Sequence, residues 1–154
     1  MRVITLWQPW CSLILSGAKV FETRSWAPSV DVIGQKIAIH AAARAPFTDL
    51  HSEPNKAITD VLGVGWQQSL PRGVILLTAT VAGAYQIESV SQFGDAFIGK
   101  SVEGSPYLKS FVIDHFGDYT PGRWVWKLED VSPVDPPVPF KGKQGWGKWE
   151  PEFS

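Results

Sequence analysis

A chain of 154 residues, 44% of them hydrophobic, with a mean hydropathy of −0.03, is long enough to bury the core of one ordinary domain. That balance excludes a disordered chain, and the longest apolar run, residues 74–77, is far too short to cross a bilayer as a helix. With 14 basic and 15 acidic residues the formal charge is −1, which excludes a broadly basic surface, so any nucleic-acid role requires a local patch.

The expectation is one domain over residues 1–154. The opening MRVITLWQPW lacks a basic segment followed by a long apolar stretch, so it does not read as a signal peptide and a cytoplasmic location is expected. The single cysteine, Cys11, cannot form an internal disulfide and is expected to be a buried small hydrophobe.

Residues 3–6 read as a short strand that stops at Gln8-Pro9. After the proline, Trp10, Leu13, Ile14 and Gly17 follow the spacing of one helical face, and Gly17 supplies a left-handed C-terminus. The stretch GAKVFETRSW then turns into a second strand, on which Phe21, Thr23 and Ser25 share one face and Glu22, Arg24 and Trp26 the other. Lys19 sits at the junction.

Residues 36–40 alternate as a third strand, with His40 on its less apolar face. A long excursion follows, containing a helix that starts at Ser52-Glu53-Pro54 and buries Ile58, Val61 and Leu62. VILLTATVAGA, β-branched and apolar throughout, predicts a central strand covered on both sides. Ser105-Pro106 pairs an N-cap with a first-turn proline, and Leu108, Phe111, Val112 and His115 predict a helix closed by Gly117. RWVWKLEDV alternates as a strong strand, whereas VSPVDPPVP carries too many prolines to pair internally and is expected to be an extended connector. The inventory of five or six strands with two or three inserted helices predicts an α+β fold built on a small, highly curved sheet or barrel.

The chemistry-bearing candidates are few. Glu22 and Arg24 form either a polar cluster that holds a ligand by charge-assisted hydrogen bonds or a surface ion pair worth about 0–1 kcal/mol. Trp7 and Trp26 offer flat surfaces for a base, each beside a polar residue, Gln8 and Arg24 respectively; Trp10 belongs to the helical core face. His40 could act as an acid or base near neutral pH. His51 and His115 lie apart, no His, Cys or carboxylate spacing matches a metal site, and no cofactor is expected. Lys141, Lys143 and Lys148, interleaved with Phe140, Trp146 and Trp149, form the one local basic patch. Phosphate loops and nucleophile elbows are absent.

The run G-x-K-x-x-E-T-R, here Gly17, Lys19, Glu22, Thr23 and Arg24, is preceded by LWQPWCSLI and followed by IHAA. Together with GDYTPGRWVWKLEDV and PFKGKQGWGKW, it resembles the ASCH domain family over nearly the whole chain. The resemblance implies a PUA-like β-barrel decorated by helices, a role in RNA metabolism, and a cleft lined by Lys19, Glu22 and Arg24. Two functions of different class follow. One is a module binding single-stranded RNA or a modified nucleotide through Gln8, Lys19, Thr23, Arg24, Trp7, Trp26 and Lys141. The other is a hydrolase, a metal-independent ribonuclease using Lys19, Glu22 and His40. Some family members hydrolyse N4-acetylcytidine with a lysine followed three residues later by a threonine; here Glu22 holds that place and Thr23 comes one residue later, on the other strand face. A protein-interaction domain using the C-terminal basic patch is a further alternative.

Overall fold

The computed structural model describes residues 1–46 and 52–151; His51 lies outside them. The described chain forms β1 (Arg2–Leu6), α1 (Trp10–Ser16), β2 (Phe21–Arg24), a 3-10 turn (Val30–Val32), β3 (Lys36–Ala41), α2 (Ser52–Leu62) and α3 (Trp66–Ser69). It continues with β4 (Val74–Val90), β5 (Asp95–Ser101), β6 (Ser110–Val112), β7 (Trp124–Pro139) and β8 (Gly147–Lys148). The class is α+β, as expected. Two compact units emerge, one of Met1–Lys19, Lys36–Ala79 and Asp130–Ser154, the other of Val20–Gln35 and Thr80–Glu129. The long strands β4 and β7 contribute to both.

In the first unit β1 lies between β3 and β8, parallel to β3 with Thr5 opposite His40, and antiparallel to β8 with Arg2 opposite Lys148. Helix α1 ends as its sequence dictates. Gly17 takes φ 87° and its N–H donates to Ile14 O, a conformation that costs glycine little. Val3, Ala38 and Ile75 form an apolar layer against which Met1, Val134, Val138, Phe140 and Trp149 pack. Cys11 is fully buried, its Sγ donating to Leu6 O at 3.2 Å, as a small hydrophobe with a weak donor would be. In α2, Ile58 is fully buried, but Val61 is 41% exposed, so the apolar stripe is narrower than the spacing predicted.

In the second unit β2 pairs antiparallel with the start of β7, and β4, β5 and β6 follow as an antiparallel ribbon. Phe21, Tyr85, Ile87, Ala96, Tyr119 and Val125 are its core, with Phe111 4.4 Å from Phe21 between ring centroids.

Three expectations are corrected. Among the described residues there are eight strands, not five or six, because β6 and β8 are only three and two residues long and β5, paired between β4 and β6, has a weak pattern of its own. Residues 105–115 hold no helix. The Ser105 hydroxyl bonds the backbone of Ala84 instead of capping one, and Tyr85 OH donates to Pro106 O at 2.6 Å, so the chain is pinned along β4 and Ser110–Val112 adds to β5. The proline-rich run is not a connector but the second half of β7. Its register with β2 ends at Phe21 opposite Lys127, so on that side the prolines, which lack an N–H, interrupt no ladder to β2.

Candidate functional site

The strand β2 is positioned from both faces. Phe21 enters the core, and this fixes Glu22 and Arg24 on the opposite face by simple alternation. Across the ladder Glu22 stands directly opposite Trp126, and Arg24 opposite Trp124. Trp126 is almost fully buried and donates from Nε1 to Trp26 O at 3.3 Å, while the two indoles meet edge to face at 5.0 Å. The Arg24 guanidinium lies over both rings, 5.0 Å from the centre of Trp26 and 5.9 Å from that of Trp126, close enough for cation–π attraction.

The electrostatics of this cluster are unsettled within the protein. Glu22 is 8% exposed; its Oε1 accepts the Thr23 N–H at 2.9 Å, but Oε2 is buried with no hydrogen-bond partner among the described residues. Arg24 Nε is likewise buried and unpartnered. Burial lowers the pKa of Arg24 from its ordinary value, the Glu22 carboxylate opposes that shift, and the Arg123 charge adds to it. An unsatisfied buried polar group costs about 1–3 kcal/mol, and more when charged, so two on one strand face point to a polar group supplied from outside.

Thr23, between them, faces the other way. Its hydroxyl accepts the Asp118 N–H at 3.2 Å and its carbonyl accepts Arg123 Nη2 at 3.4 Å. Gly117 stands so close that an added Cβ would lie 2.8 Å from Thr23 Cγ2, so this turn braces the strand with no room for a side chain. Tyr119, in the same turn, donates to Asp114 at 2.7 Å; burial first, then that carboxylate, pushes its phenol well above the ordinary range.

The remaining candidates belong to the first unit. Lys19 is 2% exposed, and its ammonium lies 5.6 Å from the Trp10 ring, which is half-buried. Gln8 is fully buried with both ends of its amide used, Nε2 donating to Pro71 O at 2.8 Å and Oε1 accepting Ser12 N–H at 3.0 Å, so it braces a loop and offers nothing outward. His40 is buried; Nδ1 shares a 3.0 Å hydrogen bond with Thr5 Oγ1, Nε2 has no partner among the described residues, and the Phe140 ring meets it edge-on. Burial lowers its pKa below the ordinary imidazole value, and the nearby Phe140 backbone opposes the shift. His40 therefore sits beneath the chain at Phe140–Gly142. Trp7 is part-exposed beneath the Arg44 guanidinium, and Lys141 is exposed.

The structure thus brings Glu22, Arg24 and Trp26 together and adds Trp126, which the sequence showed as a strand residue without revealing which strand it faced. No group of three or more metal-ligating side chains occurs among the described residues. Among the described residues no helix is long and apolar enough to cross a membrane.

No curated protein matches the chain. Residues 4–121 match the family model of the ASCH domain, a span that includes β1, α1 and the whole Glu22–Arg24 strand. With its motif residues on the page and most of its length covered by that match, the chain belongs to the ASCH domain family, whose fold is PUA-like.

Proposed function

We propose that the chain binds single-stranded RNA, or a single modified nucleotide, on the Glu22–Arg24 face of β2. The observation that carries this reading is the pair of buried, unpartnered atoms, Glu22 Oε2 and Arg24 Nε, set beside Trp26 and Trp126. One is an acceptor and the other a donor. The edge of a nucleobase offers the complement: an exocyclic amino group to the carboxylate and a ring nitrogen or carbonyl to the guanidinium, with an indole as apolar wall. Membership of a PUA-like family is consistent with RNA as the partner.

A hydrolytic reading shares these residues. Glu22, with a carboxylate oxygen unpartnered among the described residues, would orient water or take a proton, and Arg24 would stabilise developing negative charge. His40, beneath Phe140–Gly142, is a poor candidate for contact with substrate. Hydrolysis of N4-acetylcytidine by a lysine and threonine pair finds no support, because Thr23 faces away from Glu22 and its hydroxyl is engaged by Asp118.

Titrating fluorescein-labelled single-stranded RNA into wild type and Arg24→Ala, with the products examined by mass spectrometry in EDTA, tests both readings. Binding at least tenfold weaker in Arg24→Ala is the expected result. Equal affinity in the two proteins at several salt concentrations overturns the site, and EDTA-resistant cleavage lost in Glu22→Gln establishes turnover.

A further inference from the structure

We propose that the carboxyl ends of β1 and β3, where the Arg44 guanidinium lies over the Trp7 ring, form a second contact that takes the phosphodiester backbone of a single-stranded nucleic acid. This rests on the reading of RNA as the ligand, and it concerns the first unit alone.

The Arg44 guanidinium is 3.8 Å from the centre of the Trp7 ring. Arg44 is exposed and Trp7 is 37% exposed. A guanidinium carries its five N–H donors in its own plane, so a ring packed over its face consumes none of them. Arg44 makes no hydrogen bond or ion pair among the described residues, and its contact with Trp7 helps to order it. An arginine held in one orientation with its donors unused binds a phosphate oxygen pair at a reduced ordering cost.

The backbone brings a second cation to the same end. Because β1 and β3 run parallel, with Leu6 opposite Ala41, Trp7 and Ala42–Arg44 leave the sheet together, and Ala42 N–H donates to Leu6 O at 2.9 Å. Gly73 N–H donates to Ala41 O at 2.7 Å, and Gly73 stands close enough to Ala43 that an added Cβ would lie 3.6 Å from its side chain. The buried Gln8 amide ties in Pro71. Arg72, between Pro71 and Gly73, is exposed and has neither ion pair nor hydrogen bond among the described residues. Arg44 and Arg72, on different loops and neither ion-paired among the described residues, thus flank the carboxyl edge of a parallel strand pair, where open sheets bind ligands. In a chain of net charge −1 this local excess selects a polyanion.

The test is fluorescence anisotropy with fluorescein-labelled oligouridylate, read at several salt concentrations for wild type, Arg44→Ala, Arg44→Lys, Arg72→Ala and Arg24→Ala. Lys56→Ala serves as control, since that lysine is exposed and paired to Asp60 on α2. Arg44→Ala is expected to bind several-fold more weakly, with the slope of log K against log salt smaller by about 0.7 for the lost phosphate contact. Arg44→Lys is expected to keep the slope and lose part of the affinity, because the charge remains and the fork does not. Affinity and slope unchanged in both Arg44→Ala and Arg72→Ala, while Arg24→Ala binds poorly, overturns this contact and leaves the β2 site standing. Wild-type protein that binds no RNA overturns both.

Discussion

Glu22 and Trp126 face each other directly across the β2–β7 ladder, a half-satisfied carboxylate opposite an almost fully buried indole. The pairing explains how a charged residue can be buried here. Trp126 excludes water from the strand face, and Arg24, lying over the same ring, supplies the compensating charge.

Trp126→Ala is expected to lose about 3–5 kcal/mol of stability, the cost of emptying a large buried site. It removes the edge-to-face contact with Trp26 and the bond to Trp26 O together. Urea denaturation followed by circular dichroism measures the loss; a change below about 1 kcal/mol would show that Trp126 is not the support of this face.

Thr23→Val separates bracing from ligand contact. The substitution keeps the shape but strips the acceptor from Asp118 N–H, and should cost about 1 kcal/mol. RNA affinity should stay within about twofold of wild type. A loss comparable to that in Arg24→Ala would move Thr23 into the site itself.

Stability should fall between neutral and mildly acidic pH because of His40. Its folded pKa lies below the unfolded value of about 6.5, so between the two the unfolded chain binds the extra proton. The contribution is therefore full above about pH 6.5 and is lost as pH falls toward the folded value. Asp118 acts in a separate window: Thr120 and Arg123 hold its carboxyl below the ordinary range, so its contribution is lost only below about pH 4. Urea midpoints at pH 8 and pH 5.5 should differ in wild type and converge in His40→Gln.

Two glycines should fail for different reasons. Gly142→Ala places a Cβ 2.5 Å from Thr5 Oγ1 and 2.6 Å from His40 Nδ1, an overlap expected to cost about 1–3 kcal/mol. Gly17→Ala meets open space but must hold φ 87°, with an expected cost of about 1 kcal/mol. Thermal melts of the two single variants check both; a D-alanine at position 17, introduced by chemical synthesis, should restore stability there, whereas at 142 it should not.

Much of this was legible in the chain. Gln8-Pro9, the helical spacing to Ile14 and Gly17 placed α1, and strand alternation put Phe21 and Glu22 on opposite faces. What was hidden were pairings. Nothing near Ser105 announces that its hydroxyl will meet Ala84, so a capping signature was read where a strand formed. Trp126 alternates visibly in its own run, yet its place opposite Glu22 depends on a register between residues about a hundred positions apart. Gln8 looked like a ligand contact because its amide could point anywhere; only packing shows both ends occupied. Arg44 stood in an alanine-rich run with no neighbour in sequence to mark it, and its partner Trp7 reaches it only because β1 and β3 run parallel.

The second half of β7 carries a consequence for how this protein behaves at high concentration. Exposed strand edges invite other chains to extend the sheet and seed aggregates, and such growth needs donors at regular intervals. Pro133, Pro136, Pro137 and Pro139 have none to offer. On the side of β7 that β2 leaves unpaired beyond Lys127, the run that looked like a linker works as a guard, and replacing those prolines with valine or threonine should make the protein more prone to aggregate.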